Sequence, residues 1–183
     1  MTLTPCRWTL DDYHQMIAAG ILADRHVELL DGVIVEMSPE GIPHSYFSDR
    51  LANDLRTALV GRAQVREAKP ITLPDASEPE PDIAIVEPLD DVYLDHHPYP
   101  ENVFLLIEYA DSSLTKDLEI KSKIYARAGI EDYWVVDLKN QRLIVFRSPD
   151  LGEYQQRNTL TSGTISPLMF SNITLQVARL MKR

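Results

Sequence analysis

Asp82 follows Pro81 and opens the apolar run Ile83-Ala84-Ile85-Val86, while Glu108 closes a second run, Val103-Phe104-Leu105-Leu106-Ile107. Each carboxylate thus stands at the end of a segment that reads as a buried strand. Antiparallel pairing of these strands brings the start of one across from the end of the other. Asp82 would then meet Glu108, although 26 positions separate them in the chain. Two acids at one strand edge repel unless a proton or a cation lies between them. Hard oxygen donors with room for water suit Mg²⁺, with Mn²⁺ as the alternative. Residues 115–128 predict a helix that ends at Gly129, a favoured residue just beyond a helix C-terminus. At about 100° per residue, Leu114, Asp117, Lys121, Ile124 and Ala128 share its apolar stripe. Lys116, Lys123 and Arg127 fall on another, outward face, where they could meet phosphates. A charge in an apolar stripe costs several kcal/mol unless paired. Asp117 and Lys121 therefore imply either a local i,i+4 bridge or a Lys121 that reaches the strand-end acids. An acid–acid–lysine set has a chemical use. A cation polarises a phosphodiester and lowers the pKa of a bound water, while the lysine orients or activates that water and stabilises charge developing on phosphorus.

The elements that must position these groups are legible in outline. Thr9 can cap a helix reaching to about Gly20, with Asp11 and Asp12 in its first turn. Asp31-Gly32 is a strong two-residue hairpin signal between residues 26–30 and 33–37. Phe47, Leu51, Leu55 and Leu59 recur every fourth residue and predict a second helix over 45–60. Strands are expected at 63–68, 70–73, 82–86 and 103–108, then at 133–137 and 142–147. Residues 152–160 suggest an edge strand, and the C-terminus a short helix. Without repeats, low-complexity tracts or linkers, residues 1–183 read as a single α/β domain with a central mixed β-sheet flanked by helices.

Other candidates carry weaker signals. His44, ahead of the second helix, could contact phosphate or water, although such a histidine is more often structural. His96-His97 lacks the spacing of a zinc pair. Glu80 shares strand parity with Asp82 but lies in acidic, Pro-rich sequence that favours a solvated loop. Tyr133 and Trp134 read as core. Cys6 has no visible partner for thiol catalysis, and no Gly-rich phosphate loop occurs. A carboxylate pair would also suit a glycosidase, a third reading that a nearby lysine and bound metal would count against.

The 183 residues hold 18 Lys+Arg and 28 Asp+Glu, a net charge of −10. This argues against broad, nonspecific nucleic-acid binding, which relies on Lys and Arg at phosphates, and any DNA is expected to bind weakly and salt-sensitively. Nine of the acids, and no Lys or Arg, lie in residues 75–101, the stretch that contains Asp82 and leads to Glu108. The rest of the chain is nearly neutral. A single cysteine cannot form an intrachain bridge. No signal-peptide pattern opens the sequence, and no apolar run approaches the roughly 18 residues of a membrane span. A cytoplasmic protein without a membrane partner is expected.

With these residues in view, the chain resembles the PD-(D/E)XK nuclease superfamily, whose fold is restriction-endonuclease-like. More closely it resembles the Uma2 family of restriction-endonuclease-like proteins. The resemblance rests on Val27-Glu28-Leu29-Leu30-Asp31-Gly32, Glu36-Met37-Ser38-Pro39, His44, Pro81-Asp82, Glu108, Asp117 and Lys121. It continues through Tyr125-Ala126-Arg127-Ala128-Gly129 to Tyr133-Trp134-Val135-Val136-Asp137. It implies a Mg²⁺-dependent endonuclease acting on DNA, with Asp82 and Glu108 as metal ligands and Lys121 as the catalytic lysine. It further implies the Tyr109 backbone carbonyl as a metal oxygen, and Glu28 as a third acid, for which a solvated hairpin acid is an equal alternative. Asp117 is expected to hold Lys121 in place. The superfamily pattern sets lysine two residues after the acid, where this chain has Ala110, so Lys121 resembles the migrated form. That departure motivates a second reading: a catalytically inactive nuclease-fold module that binds nucleic acid or a protein. Cutting both strands of DNA requires two active sites, so a homodimer is expected.

Overall fold

A computed structural model describes residues 4–182. Helix α1 (Leu10–Ala18) starts where Thr9 caps it, in a reciprocal bond pair with Asp12. The hairpin follows, β1 (Val27–Leu30) against β2 (Val33–Glu36). Asp31 and Gly32 both have positive φ, 48° and 72°, the conformation that a two-residue primed turn demands. Gly32 is doubly constrained. A Cβ there would stand 2.8 Å from the Trp8 carbonyl oxygen, and 2.8 Å from Arg7 Cβ. Gly32→Ala should therefore lower stability by about 1–3 kcal/mol. An unchanged urea midpoint would show that the turn relaxes without cost.

Helix α2 (Ile42–Ala58) begins three residues earlier than its apolar period suggests, because Pro43 is tolerated in a first turn. Six strands then form the main sheet, in the order β3 (Gln64–Glu67), β4 (Ile83–Val86), β5 (Val103–Ala110), β6 (Asp132–Asp137), β7 (Arg142–Asp150) and β8 (Glu153–Leu160). All neighbours are antiparallel except β5 and β6. That parallel pair needs a crossover, supplied by helix α3 over residues 114–127. The helix is not uniform: α turns at Leu114–Lys116 and Ser122–Arg127 flank a π segment, Asp117–Lys121. The strand expected at 70–73 does not form. Its donors turn instead to Pro79, Pro98 and Ser77, folding residues 71–79 back on themselves. A small antiparallel pair, β9 (Thr164–Ile165) with β10 (Leu175–Gln176), and a 3₁₀ turn, Val177–Leu180, lie towards the C-terminal end.

Side-chain alternation gives the sheet two apolar faces. One packs Ile83, Ile85, Leu105, Ile107 and Trp134 against Phe47, Leu51 and Leu55 of α2 and against the C-terminal turn. The other packs Ala84, Leu106, Ala110, Tyr133 and Val135 against Ile124 and Tyr125 of α3 and against Leu30. Glu108 has the parity of Leu106 and Ala110, so it faces α3. Tyr133 and Trp134 are core residues, as their β-rich setting suggests.

Candidate active site

The β4–β5 register pairs Ile83 with Ile107, and one step further sets Asp82 opposite Glu108. The Tyr109 backbone N–H fixes this end by donating to Asp82 Oδ2 at 2.5 Å. Asp82 itself lies just before β4 rather than within it. Both acids line one cavity of about 80 Å³, together with Glu40, His44, Tyr109, Lys116, Asp117 and Lys121.

Lys121 is fully buried. Its Nζ donates to Glu108 Oε1 at 2.8 Å and lies 2.9 Å from Glu28 Oε2. The i,i+4 alternative does not arise, because Asp117 instead accepts from Ser113 Oγ at 2.6 Å. Asp117 therefore does not hold Lys121 directly. Burial opposes the Lys121 charge, but Glu108, Glu28 and Asp117 outweigh it and push its pKa well up. Burial raises Glu108 to about 8, against the pull of Lys121 and with support from the nearby Asp82, Asp117 and Glu28 charges. Tyr125 adds a donor to Glu108 Oε1 at 3.0 Å. Burial also raises Asp117.

Glu28 is not a solvated hairpin acid; it is completely buried. Lys116 donates to its Oε1 at 2.7 Å, and the Glu80 backbone N–H donates to Oε2 at 3.2 Å. Burial would raise Glu28, yet Lys121 and Lys116 hold it below the usual carboxylate range. With both oxygens engaged, Glu28 organises the two lysines. It reaches them because the backbone groups of Leu29 and Glu78 pair, stitching β1 to the acidic segment. Glu80 also lines the cavity, 3.6 Å from His26.

His44 points at Asp82 rather than away from the site. Its Nε2 stands 3.1 Å from Asp82 Oδ1, at ion-pair distance but without well-formed hydrogen-bond geometry, and has no other hydrogen-bond partner among the described residues. Burial lowers its pKa, but the Asp82 carboxylate overcomes this and the net direction is up. Glu40, in the loop before α2, escapes sequence reasoning altogether. It completes a triad in which one donor atom each from Glu40, His44 and Asp82 lies within 4.8 Å of the others. The spacing of Glu40 and His44, four residues apart around the α2 start, is the one signal that could have suggested it.

The outward basic face of α3 does not stand free. Lys116 turns to Glu28, Lys123 lies 3.7 Å from Glu153, and Arg127 pairs with Asp31 and Asp75. His96 stacks on Tyr99 at 4.3 Å, remote from this cavity.

A mixed sheet with one helix on each face and acids at a strand edge defines a nuclease-like fold of the restriction-endonuclease type. A crystal structure described as a putative nuclease belonging to DUF820 from Anabaena variabilis ATCC 29413 shares it. The TM-score is 0.74 over 96% of this chain and 97% of that one, at 18% identity. The family profile described as "Uma2: Putative restriction endonuclease" matches residues 10–178. The chain belongs to that family. No curated protein matches it, and no helix among the described residues is long and apolar enough to cross a membrane.

Proposed function

We propose that the protein is a divalent-metal-dependent endonuclease that hydrolyses DNA phosphodiester bonds, with Mg²⁺ or Mn²⁺ as cofactor. The observation that carries this reading is the meeting of Asp82, Glu108 and Lys121 in one cavity, from two strand ends and a crossover helix. The donor chemistry fits a cation. His44 Nε2 faces Asp82 Oδ1 at 3.1 Å but makes no well-formed hydrogen bond among the described residues, a pairing that a cation between them would complete. Asp82 and Glu108 would hold the ion, with the Tyr109 carbonyl as a further oxygen. When bound, a divalent cation supplies Lewis acidity and makes a water more acidic.

The chain's own residues do the rest. Lys121 carries a proton at neutral pH, so it serves as a donor rather than a base. Two of its three N–H groups are directed at Glu108 and Glu28, and the third is left to orient the attacking water or meet charge on phosphorus. Glu28 fixes the Lys121 ammonium, and Lys116 brings a second positive charge to the cavity wall. Cutting both strands requires two such sites, so the reading extends to a homodimer.

The pairing of Lys123 and Arg127 with acids favours a second reading, a nuclease-fold module without turnover, because it leaves that face less free for phosphates. Plasmid cleavage with Mg²⁺ separates the two. The purified protein should nick or linearise DNA, and Asp82→Ala should lose at least about 100-fold of that rate, the scale of removing a main electrostatic contributor. Equal rates in both proteins would reject the site; no cleavage in either would support the binding module.

A further inference from the structure

We propose that Glu40, His44 and Asp82 form a binding site for a divalent transition ion such as Mn²⁺, with the His44 imidazole as a direct ligand. The proposal deepens the metal-dependent reading and rests on it for the participation of Asp82. Its own content is the nitrogen ligand and the exposed acid, neither of which belongs to an Asp82–Glu108–Tyr109 set.

The argument starts from His44 Nε2. The side chain is 12% exposed, and its buried Nε2 makes no well-formed hydrogen bond among the described residues. Burying a polar nitrogen that way is unfavourable unless something answers it. What it faces is Asp82 Oδ1 at 3.1 Å, an acceptor whose sister oxygen is taken by the Tyr109 N–H. Glu40 lies on the open side of the pair, and one donor atom from each residue falls within 4.8 Å of the others. An ion about 2.1 Å from each ligand sets adjacent donors about 3.0 Å apart and opposite donors about 4.2 Å apart, so the spacing needs only small side-chain adjustments. Three protein ligands at a cavity mouth leave positions for water and a phosphate oxygen.

The donor types set the preference. An all-oxygen site suits Mg²⁺, whereas imidazole shifts the balance towards transition ions. The geometry also gives Asp82 a double role. Register sets it opposite Glu108, and its Oδ1 faces His44 at 3.1 Å, so it can serve an all-oxygen site with Glu108 and this mixed site with His44.

Mn²⁺ titration of the full chain followed by pulsed electron paramagnetic resonance reads the ligand directly. The bound ion should show coupling to one imidazole nitrogen. His44→Gln should abolish that coupling and weaken Mn²⁺ binding at least about tenfold, while Mg²⁺ binding changes less. Glu40→Gln should weaken Mn²⁺ but keep the nitrogen signal. Bound Mn²⁺ without nitrogen coupling, its affinity dependent on Asp82 and Glu108, would overturn this site and leave the Asp82–Glu108 reading intact. No Mn²⁺ uptake by the wild-type protein would overturn both. The wild-type spectrum decides the ligand even if His44→Gln folds poorly.

Discussion

Lys121→Met should cost the protein at least about 100-fold in metal-dependent DNA cleavage, the lower end of what a positioned proton-donating group supplies. It should also cost about 3–5 kcal/mol of stability near pH 8, because it removes one partner of a buried ion pair. The methylene stem is nearly conserved, so packing changes little and the loss isolates the charge. Two carboxylates depend on that charge: Glu108 at 2.8 Å and Glu28 at 2.9 Å. They will not suffer equally. Glu28 keeps Lys116 at 2.7 Å, whereas Glu108 keeps, among the described residues, only the Tyr125 hydroxyl. Glu108 can escape by taking up a proton, so the stability loss should shrink as pH falls. Adding Glu108→Gln to Lys121→Met should restore much of the stability and none of the cleavage. Urea unfolding and plasmid nicking of the two variants measure these outcomes. A Lys121→Met protein with wild-type stability and rate would mean that the lysine is an idle core residue.

How far the sequence disclosed this arrangement depends on which physical rule governed each part. The meeting of Asp82 and Glu108 was legible because one opens an apolar run and the other closes one, and antiparallel register converts those two ends into neighbours. Lys121 was legible because a charge in an apolar stripe demands a partner. The π segment was not, since a uniform period assumes one hydrogen-bond pattern, and here the Ser122 N–H reaches back five residues to Asp117. Glu28 alternates correctly within a strand, but a short hairpin does not reveal that a second segment covers its face. Glu40 lies in a loop where no periodicity operates. Residues 70–73 show the converse failure: β-branched and apolar types satisfied the strand pattern, yet their donors found loop carbonyls, of Ser77 and Pro79 nearby and of Pro98 farther along the chain, rather than a neighbouring strand. The outward basic face was predicted from helical angle alone, which cannot show that Asp31, Asp75 and Glu153 wait opposite it.

Raising the pH from 5 to 8 should destabilise the metal-free protein through Glu108. Burial raises this group from 4.5 to about 8, more than Lys121 can offset. Between those values the folded chain keeps a proton that the unfolded chain releases. Stability therefore falls through that window, by up to about 1.4 kcal/mol per pH unit, and levels above pH 8. Glu28 has the opposite sign. Its pKa is depressed, so its contribution is full above the ordinary carboxylate pKa and disappears as pH falls through its folded value. Lys121, held above its ordinary 10.5, contributes fully below that value and loses its contribution only in stronger alkali. Urea midpoints of wild type and Glu108→Gln across pH 5–8 isolate the first effect: the wild type should slope downward and the variant stay comparatively flat. Parallel slopes would assign the titration elsewhere. Saturating Mn²⁺ should flatten or reverse the wild-type slope, because a cation at Asp82 and Glu108 takes the place of the buried proton, and its binding tightens as that proton leaves. The same burial that makes Glu108 costly to ionise thus gives the cavity its demand for a cation.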